Sequence, residues 1–282
     1  LRHYFKAMRP RQWTKNLFVF AGVVFSKNAF NPEMLWTSIA AFVIFCLLSS
    51  GVYLINDIVD IEKDRQHPKK KNRPLAAGKI SVKGAISAAI LLSAAALAGA
   101  FAISPALGGL SALYFSLMVL YSFYLKQVII LDVFTIASGF VIRVVAGTEA
   151  IQVYLSPWVV MCTAFLALFI ALGKRRNEMK LLGNGAQNHR NTLESYTLPL
   201  IDQMISIVTA STMVTYFLYT FKSGQSLASM ATVPFVLFGL FRYLYLVYSE
   251  NSGGSPEEII LTDRPLQVDL VLWIIISMAL IY

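Results

Sequence analysis

The chain has 282 residues, of which 57% are hydrophobic and only 14% charged. Soluble domains carry roughly 25% charged residues, so this composition excludes a water-soluble single-core fold, along with disordered, collagen-like and disulfide-scaffold chains. An integral membrane protein remains, with a formal net charge of +9 that needs its own explanation.

The apolar residues fall in long uninterrupted runs without the period-two alternation of a barrel, so they read as helices. In chain order the runs lie at about 12–30, 34–56, 84–102, 107–125, 129–149, 157–173, 197–221, 229–248 and 266–282. A span needs roughly 20 residues. Nine therefore use the whole chain, and 1–282 reads as a single all-α transmembrane domain. The first run is the least regular, because its opening turns are polar. The basic start, from Leu1 to Asn16, leads into it without a small-residue cleavage site, so no cleavable signal peptide is expected. Cys46 and Cys162 each sit inside an apolar run and read as small buried hydrophobes.

Orientation follows from the cations. With the N-terminus inside, twenty of the 24 Lys and Arg face the cytoplasm; Lys27 and Lys222 fall outside, and Arg143 and Arg242 lie within helices. A basic protein can bind nucleic acid, but here the surplus is accounted for by topology, and no nucleic-acid partner is expected. The expected setting is a bacterial inner membrane, with N-terminus and active site cytoplasmic.

The second run ends in Asn56-Asp57-Ile58-Val59-Asp60-Ile61-Glu62-Lys63-Asp64-Arg65. At about 100° per residue, Asn56, Asp57, Asp60 and Asp64 share one arc of a helix, while Glu62 points away. Carboxylates so gathered repel one another. Either they pair with Lys63, Lys69 or Arg73 on a solvated helix end, or a divalent cation holds them. The spacing at a membrane helix end favours the metal, and hard oxygen donors suit Mg²⁺. The following loop, His67 to Gly78, is rich in Pro and cations. Arg73 suits a phosphate, because a guanidinium binds one bidentately; Lys69 to Lys71 read as lipid-headgroup contacts and His67 as a bystander. Arg11, Gln12, Lys15 and Asn16 share a second arc, with Trp13 as an interfacial anchor. Tyr121 and Lys126 end the fourth run, Asp132 begins the fifth, and Lys174-Arg175-Arg176-Asn177-Glu178 ends the sixth. There Lys174 and Glu178 stand four apart. Arg143, inside a helix, reads as structural, bonded to Glu149 or a carbonyl. All these patches meet one membrane surface.

The stripe N-D-x-x-D-x-x-x-D (Asn56 to Asp64), the R-P-L-A-x-G run (Arg73 to Gly78) and the nine spans resemble the UbiA superfamily of intramembrane prenyl-group enzymes. The resemblance implies a nine-helix bundle around a cavity open to the cytoplasm, Mg²⁺, and acidic motifs ending the second and sixth helices. The sixth helix departs from that pattern: one acid, Glu178, stands among three cations. R-P-R-Q-W-x-K-N (Arg9 to Asn16), L-K-x-x-x-x-L-D (Leu125 to Asp132), Ile142-Arg143 to Gly147, G-K-R (Gly173 to Arg175) and L-E-S-Y (Leu193 to Tyr196) are similar to the branch that holds the decaprenyl-phosphate phosphoribosyltransferases.

That branch implies transfer of a 5-phosphoribosyl group from phosphoribosyl diphosphate (PRPP) to a polyprenyl phosphate. The implied roles are metal binding by Asp57, Asp60 and Asp64, with Asn56 orienting them. Arg73 and Lys15 then bind donor phosphates, with Lys174. Lys126 and Arg175 bind the acceptor or the 5-phosphate. Asp132 orients a ribose hydroxyl or is a helix-N-terminal acid, and Tyr121 and Arg65 border the substrate. Two other readings stay open: a prenyltransferase using a prenyl diphosphate, and a transporter with an anion gate. Carboxylates at one membrane face, not at the midplane, count against the transporter. The Gly/Asn-rich loop Leu181 to Asn191 reads as a flap, and Glu250 to Arg264 as a second cover.

Overall fold

The computed structural model describes residues 2–68, 70–182, 195–222, 227–249, 259 and 262–281. Among them helix is the only regular structure. Lys69, most of both expected covering loops and the start of L-E-S-Y lie outside the described residues. The chain divides into two compact units, Leu1–Leu155 and Ser156–Tyr282.

The first unit contains α1 (Arg2–Ala7), a 3-10 segment (Pro10–Phe20), α2 (Ala21–Phe25), α3 (Pro32–Val59), α4 (Ile61–Gln66), α5 (Val82–Ile103), α6 (Pro105–Phe123) and α7 (Leu131–Ala150). Its long helices begin where side chains cap orphan amides. Asn31 Oδ1 accepts from Glu33 N and Met34 N ahead of Pro32, and Ser81 and Ser104 accept from Gly84 N and Leu107 N. Ser104 alone, in extended backbone, separates α5 from α6. The longest helix, α3, is the spine: α5, α6, α7 and the 3-10 segment all pack on it. One core joins Phe45 and Leu48 of α3 to Ala96 and Ala100, Tyr114, and Ile142 and Ala146. Nearer the acidic end of α3, a second joins Leu54 to Ala7, Leu75, Ile80, Ala85 and Ala89.

Alanines and serines on α5 let it approach closely, as membrane helices without a hydrophobic drive between them require. Hydroxyls bond back to their own helices, as Ser50 does to Cys46 O at 2.6 Å and Thr135 to Leu131 O at 2.6 Å. Such back-bonding satisfies these hydroxyls within their own helix.

The second unit holds α8 (Pro157–Leu182), α9 (Leu198–Lys222), a 3-10 turn (Leu227–Thr232), α10 (Val233–Tyr248) and α11 (Arg264–Ile281). Trp273 Nε1 donates to Tyr216 Oη at 2.8 Å, and that hydroxyl donates to Thr232 at 2.8 Å, tying α11, α9 and the turn together. Arg242 grips Asp263 with two bonds, and Asp263 in turn caps Leu266 N at 2.9 Å. The Arg242 bond, above all, holds the Asp263 carboxyl below its ordinary range.

Seven of the described helices are long and apolar enough to cross a membrane: α3, α5 to α9, and the stretch Ala228–Tyr248. The run expected at 12–30 is not one regular helix but a 3-10 segment followed by the five-residue α2. A Cβ on Gly147 of α7 would lie 1.9 Å from Val19 O, so the segment rests its backbone directly on α7. Gly147→Ala is therefore expected to lower the thermal unfolding midpoint in detergent, by the cost of overpacking, about 1–3 kcal/mol. Gly109→Ala, where nothing lies within 4 Å of the added carbon, is expected to be neutral or stabilising.

Candidate active site

The acidic stripe is present but bent. α3 stops at Val59, Asp60 takes φ −98 and ψ 11, and α4 starts at Ile61. Backbone bonds Asp60 N to Asn56 O and Asp64 N to Asp60 O carry the helical path through the bend. Asp57 and Asp64 are each only 3% exposed. Carboxylates that deep need partners, and their first is Arg73: its Nη1 lies 3.1 Å from Asp57 Oδ1 and 2.5 Å from Asp64 Oδ2. Arg9 Nη2 also donates to Asp57 Oδ1, with the guanidinium laid over the Tyr53 ring, 4.9 Å from its centroid. Asp60 turns to the end of α6, where Lys126 Nζ meets it at 2.6 Å. Glu62 points outward as expected and pairs with Arg65 at 2.9 Å on the exposed side.

Beside Asp57 lies a cavity of about 390 Å³, lined by Lys6, Ala7, Arg9, Gln12, Asp57, Asn72, Arg73 and Pro74. Three cations surround one carboxylate there, which suits a polyanion.

Of the sequence-derived residues, the structure thus brings together Asp57, Asp64 and Arg73, and separately Asp60 and Lys126. Asn56, Lys15 and Tyr121 are half-buried, and Asp132 is fully buried at the start of α7. Arg65 sits on the exposed side with Glu62. Lys174 and Arg175 belong to the second unit; Arg175, 2% exposed, pairs with the Glu178 carboxylate. Arg176 pairs with Asp202 at 2.6 Å and stacks on Tyr248, 3.7 Å from the ring centroid. Trp13 donates to Ser50 Oγ at 3.1 Å on α3 and meets Phe5 edge-on, so it anchors protein to protein. His67 accepts from Lys70 N at 3.3 Å, a loop contact.

Sequence reasoning missed one residue, Arg9, and part of the bonding of another, Arg143. Arg9 counted only as a topology signal, though it opens the quoted R-P-R-Q-W-x-K-N run; only a fold could place it on Asp57. Arg143 was expected to reach Glu149 or a carbonyl. It does bond Gly139 O at 2.8 Å, but also Asn16 Oδ1 at 2.7 Å and Tyr114 Oη at 2.7 Å. Asn16 then donates to Ser49 Oγ at 3.2 Å, so one network joins the 3-10 segment to α3, α6 and α7.

Among the described residues no three His, Cys, Asp or Glu side chains converge on one point. The donor set nonetheless fits a hard cation. Asp57 and Asp64 already converge on one positively charged atom, Arg73 Nη1, and Mg²⁺ is usually held by one or two carboxylates plus substrate phosphates.

Residues 16–257 match the model of the UbiA prenyltransferase family. The chain is 36% identical to decaprenyl-phosphate phosphoribosyltransferase of Mycolicibacterium smegmatis, over 95% of this chain and 89% of that protein. It is 33% identical to the enzyme of the same name from Corynebacterium glutamicum, over 98% of this chain and 86% of that one. In fold it is similar to a UbiA homolog from Archaeoglobus fulgidus bound to DMAPP and Mg²⁺, with TM-score 0.77, 20% identity, and 99% and 98% of the two chains covered.

The Arg143 network yields a stability test. Arg143→Leu leaves Asn16 Oδ1 and Tyr114 Oη without their buried partner, at about 1–3 kcal/mol each. Arg143→Lys cannot reproduce three diverging bonds from a planar fork. Both variants are expected to unfold at lower temperature in detergent, with lysine giving little rescue.

Proposed function

The chain belongs to the UbiA prenyltransferase family, and from that premise we propose that it transfers a 5-phosphoribosyl group from PRPP to a polyprenyl phosphate of the decaprenyl type, releasing diphosphate. The names of its relatives, at 33–36% identity over nearly the whole chain, support this donor and acceptor. The observation that carries the choice of donor is the end of α8. Where the family pattern calls for a second acidic motif, Lys174, Arg175 and Arg176 stand with Glu178 alone. PRPP has a 5-phosphate besides its diphosphate, so it calls for one metal-carboxylate platform and further cations. A prenyl diphosphate has no phosphate apart from its diphosphate.

Asp57 and Asp64 would hold Mg²⁺, with Asp60 added once Lys126 releases it, and Asn56 orienting the acids. When bound, the metal supplies charge neutralisation and Lewis-acid assistance at the leaving diphosphate. Arg73 and Lys15 bind donor phosphates. Lys126 and Arg175 would bind the acceptor phosphate or the 5-phosphate, and Lys174 a donor phosphate. Asp132 orients a ribose hydroxyl, and Tyr121 and Arg65 border the substrates.

The bond between the anomeric carbon and diphosphate breaks, the electron pair leaving with diphosphate. A bond forms from that carbon to an oxygen of the acceptor phosphate. The transition state has oxocarbenium character by analogy with other glycosyl transfers. The acceptor is anionic near neutral pH, so no side chain needs to act as a strong base.

The wider setting is also part of this reading. Residues 1–282 form one nine-span transmembrane domain of a bacterial inner membrane, with the N-terminus and a cavity facing the cytoplasm. The cation asymmetry supports that orientation.

Transfer of label from PRPP to polyprenyl phosphate by the reconstituted protein with Mg²⁺ tests the proposal. Asp57→Asn and Asp64→Asn are expected to lower the rate about 100-fold or more, while Glu62→Ala keeps it. Turnover of a prenyl diphosphate instead, or uptake without covalent product, would overturn it.

A further inference from the structure

We propose that Arg9 is a donor-binding residue: its guanidinium, held on Asp57 in this structure, moves onto the donor's diphosphate as the carboxylate turns to the metal. This rests on the function proposed above, and three observations carry it.

The first is the backbone. Arg9 has φ 55 and ψ 60, in the left-handed region, directly before Pro10. A residue preceding proline is normally extended, and a left-handed non-glycine residue costs about 1–3 kcal/mol. The surrounding chain imposes that conformation. Arg9 N bonds Lys6 O at 3.2 Å and Gln12 N bonds Arg9 O at 2.8 Å, so α1 and the 3-10 segment clamp it from both sides. A chain direction that served topology alone would not need this strain. What the strain achieves is to aim the Arg9 side chain at the acidic end of α3.

The second is the bonding. Asp57 Oδ1 receives both Arg9 and Arg73. Oδ1, holding two guanidiniums, has little lone-pair density left, so a metal that uses this oxygen displaces one of them. Arg73 bridges two carboxylates, whereas Arg9 holds one. Its other support, the Tyr53 face, tolerates sliding, because cation–π attraction is only weakly directional. Arg9 is the guanidinium that moves.

The third is where it can go. Arg9, Lys6 and Arg73 rim the same cavity of about 390 Å³, with Gln12 and Asn72 as further hydrogen-bonding groups. A diphosphate there would meet the released guanidinium without any backbone change. Bidentate pairing with phosphate oxygens then replaces the lost carboxylate contact.

This exchange has a thermodynamic signature. Arg9 competes with metal for Asp57 when no diphosphate is present, and cooperates with metal when it is. Mn²⁺ binding by electron paramagnetic resonance, with and without inorganic diphosphate, reads both terms without turnover. Arg9→Gln is expected to bind Mn²⁺ alone about fivefold more tightly than wild type. It is expected to lose the tightening that diphosphate gives wild type, and to raise KM for PRPP more than it lowers kcat. Arg9→Lys, which keeps charge without the fork, retains part of the coupling.

A merely structural Arg9 would give the opposite sign, since losing a brace on Asp57 weakens Mn²⁺ with or without diphosphate. That result, or an unchanged KM for PRPP, would overturn the inference. Failure of the functional reading is separate: wild type would then show coupling of Mn²⁺ to diphosphate and yet transfer no phosphoribosyl group.

Discussion

Two carboxylates buried at the end of a membrane helix are the constraint on which the first unit depends. Asp57 and Asp64 are almost wholly shielded, and an uncompensated buried charge costs several kcal/mol. Each must therefore be met by a cation, and the cations must arrive from elements that can be anchored. Arg73 arrives on the loop after α4, Arg9 from the junction of α1 and the 3-10 segment, and Lys126 from the end of α6, to take Asp60. Three separate stretches of chain are pinned to one helix end. Their compensation is internal, so carboxylates and guanidiniums are stored together where a metal and a diphosphate would each find a partner.

Anchoring those stretches explains the rest of the unit. The 3-10 segment presents Arg9 and Gln12 to the cavity only if it lies close against α3 and α7. Gly147 permits that approach at Val19, and the Arg143 network holds it, because Asn16, Tyr114 and Gly139 O converge on one guanidinium. A buried arginine with three neutral partners is costly in a membrane. Here it locks the segment to α6 and α7. Small residues along α5 then allow α3 to be covered closely on its other side.

Much of this is legible in the sequence because it is local. The membrane class follows from composition, the long helices from the apolar runs, and the stripe from Asn56 to Asp64 from helical spacing. Arg73 is legible from the chemistry of a guanidinium beside acids. What is not legible depends on contacts across long sequence separations. The polar opening turns of the first run mark it as the least regular, but its 3-10 path and its contact with Gly147 appear only in the fold. Arg9 looks like one of many inward-facing cations until its left-handed backbone aims it at Asp57. Arg143 meets a carbonyl, Gly139 O, as expected of it, but also finds Asn16, 127 positions away. Glu178 also meets Arg175, three positions before it, since i and i+3 neighbours share a helix face with i and i+4.

The fate of the two phosphate-bearing ends of the donor tests the central claim most directly. PRPP labelled in the 5-phosphate, and separately in the diphosphate, would be supplied to the reconstituted protein with Mg²⁺ and decaprenyl phosphate. The expected result is 5-phosphate label in the lipid fraction and diphosphate label in water, in equal amounts. Diphosphate label in the lipid, or no lipid label while a prenyl diphosphate is consumed, would contradict it.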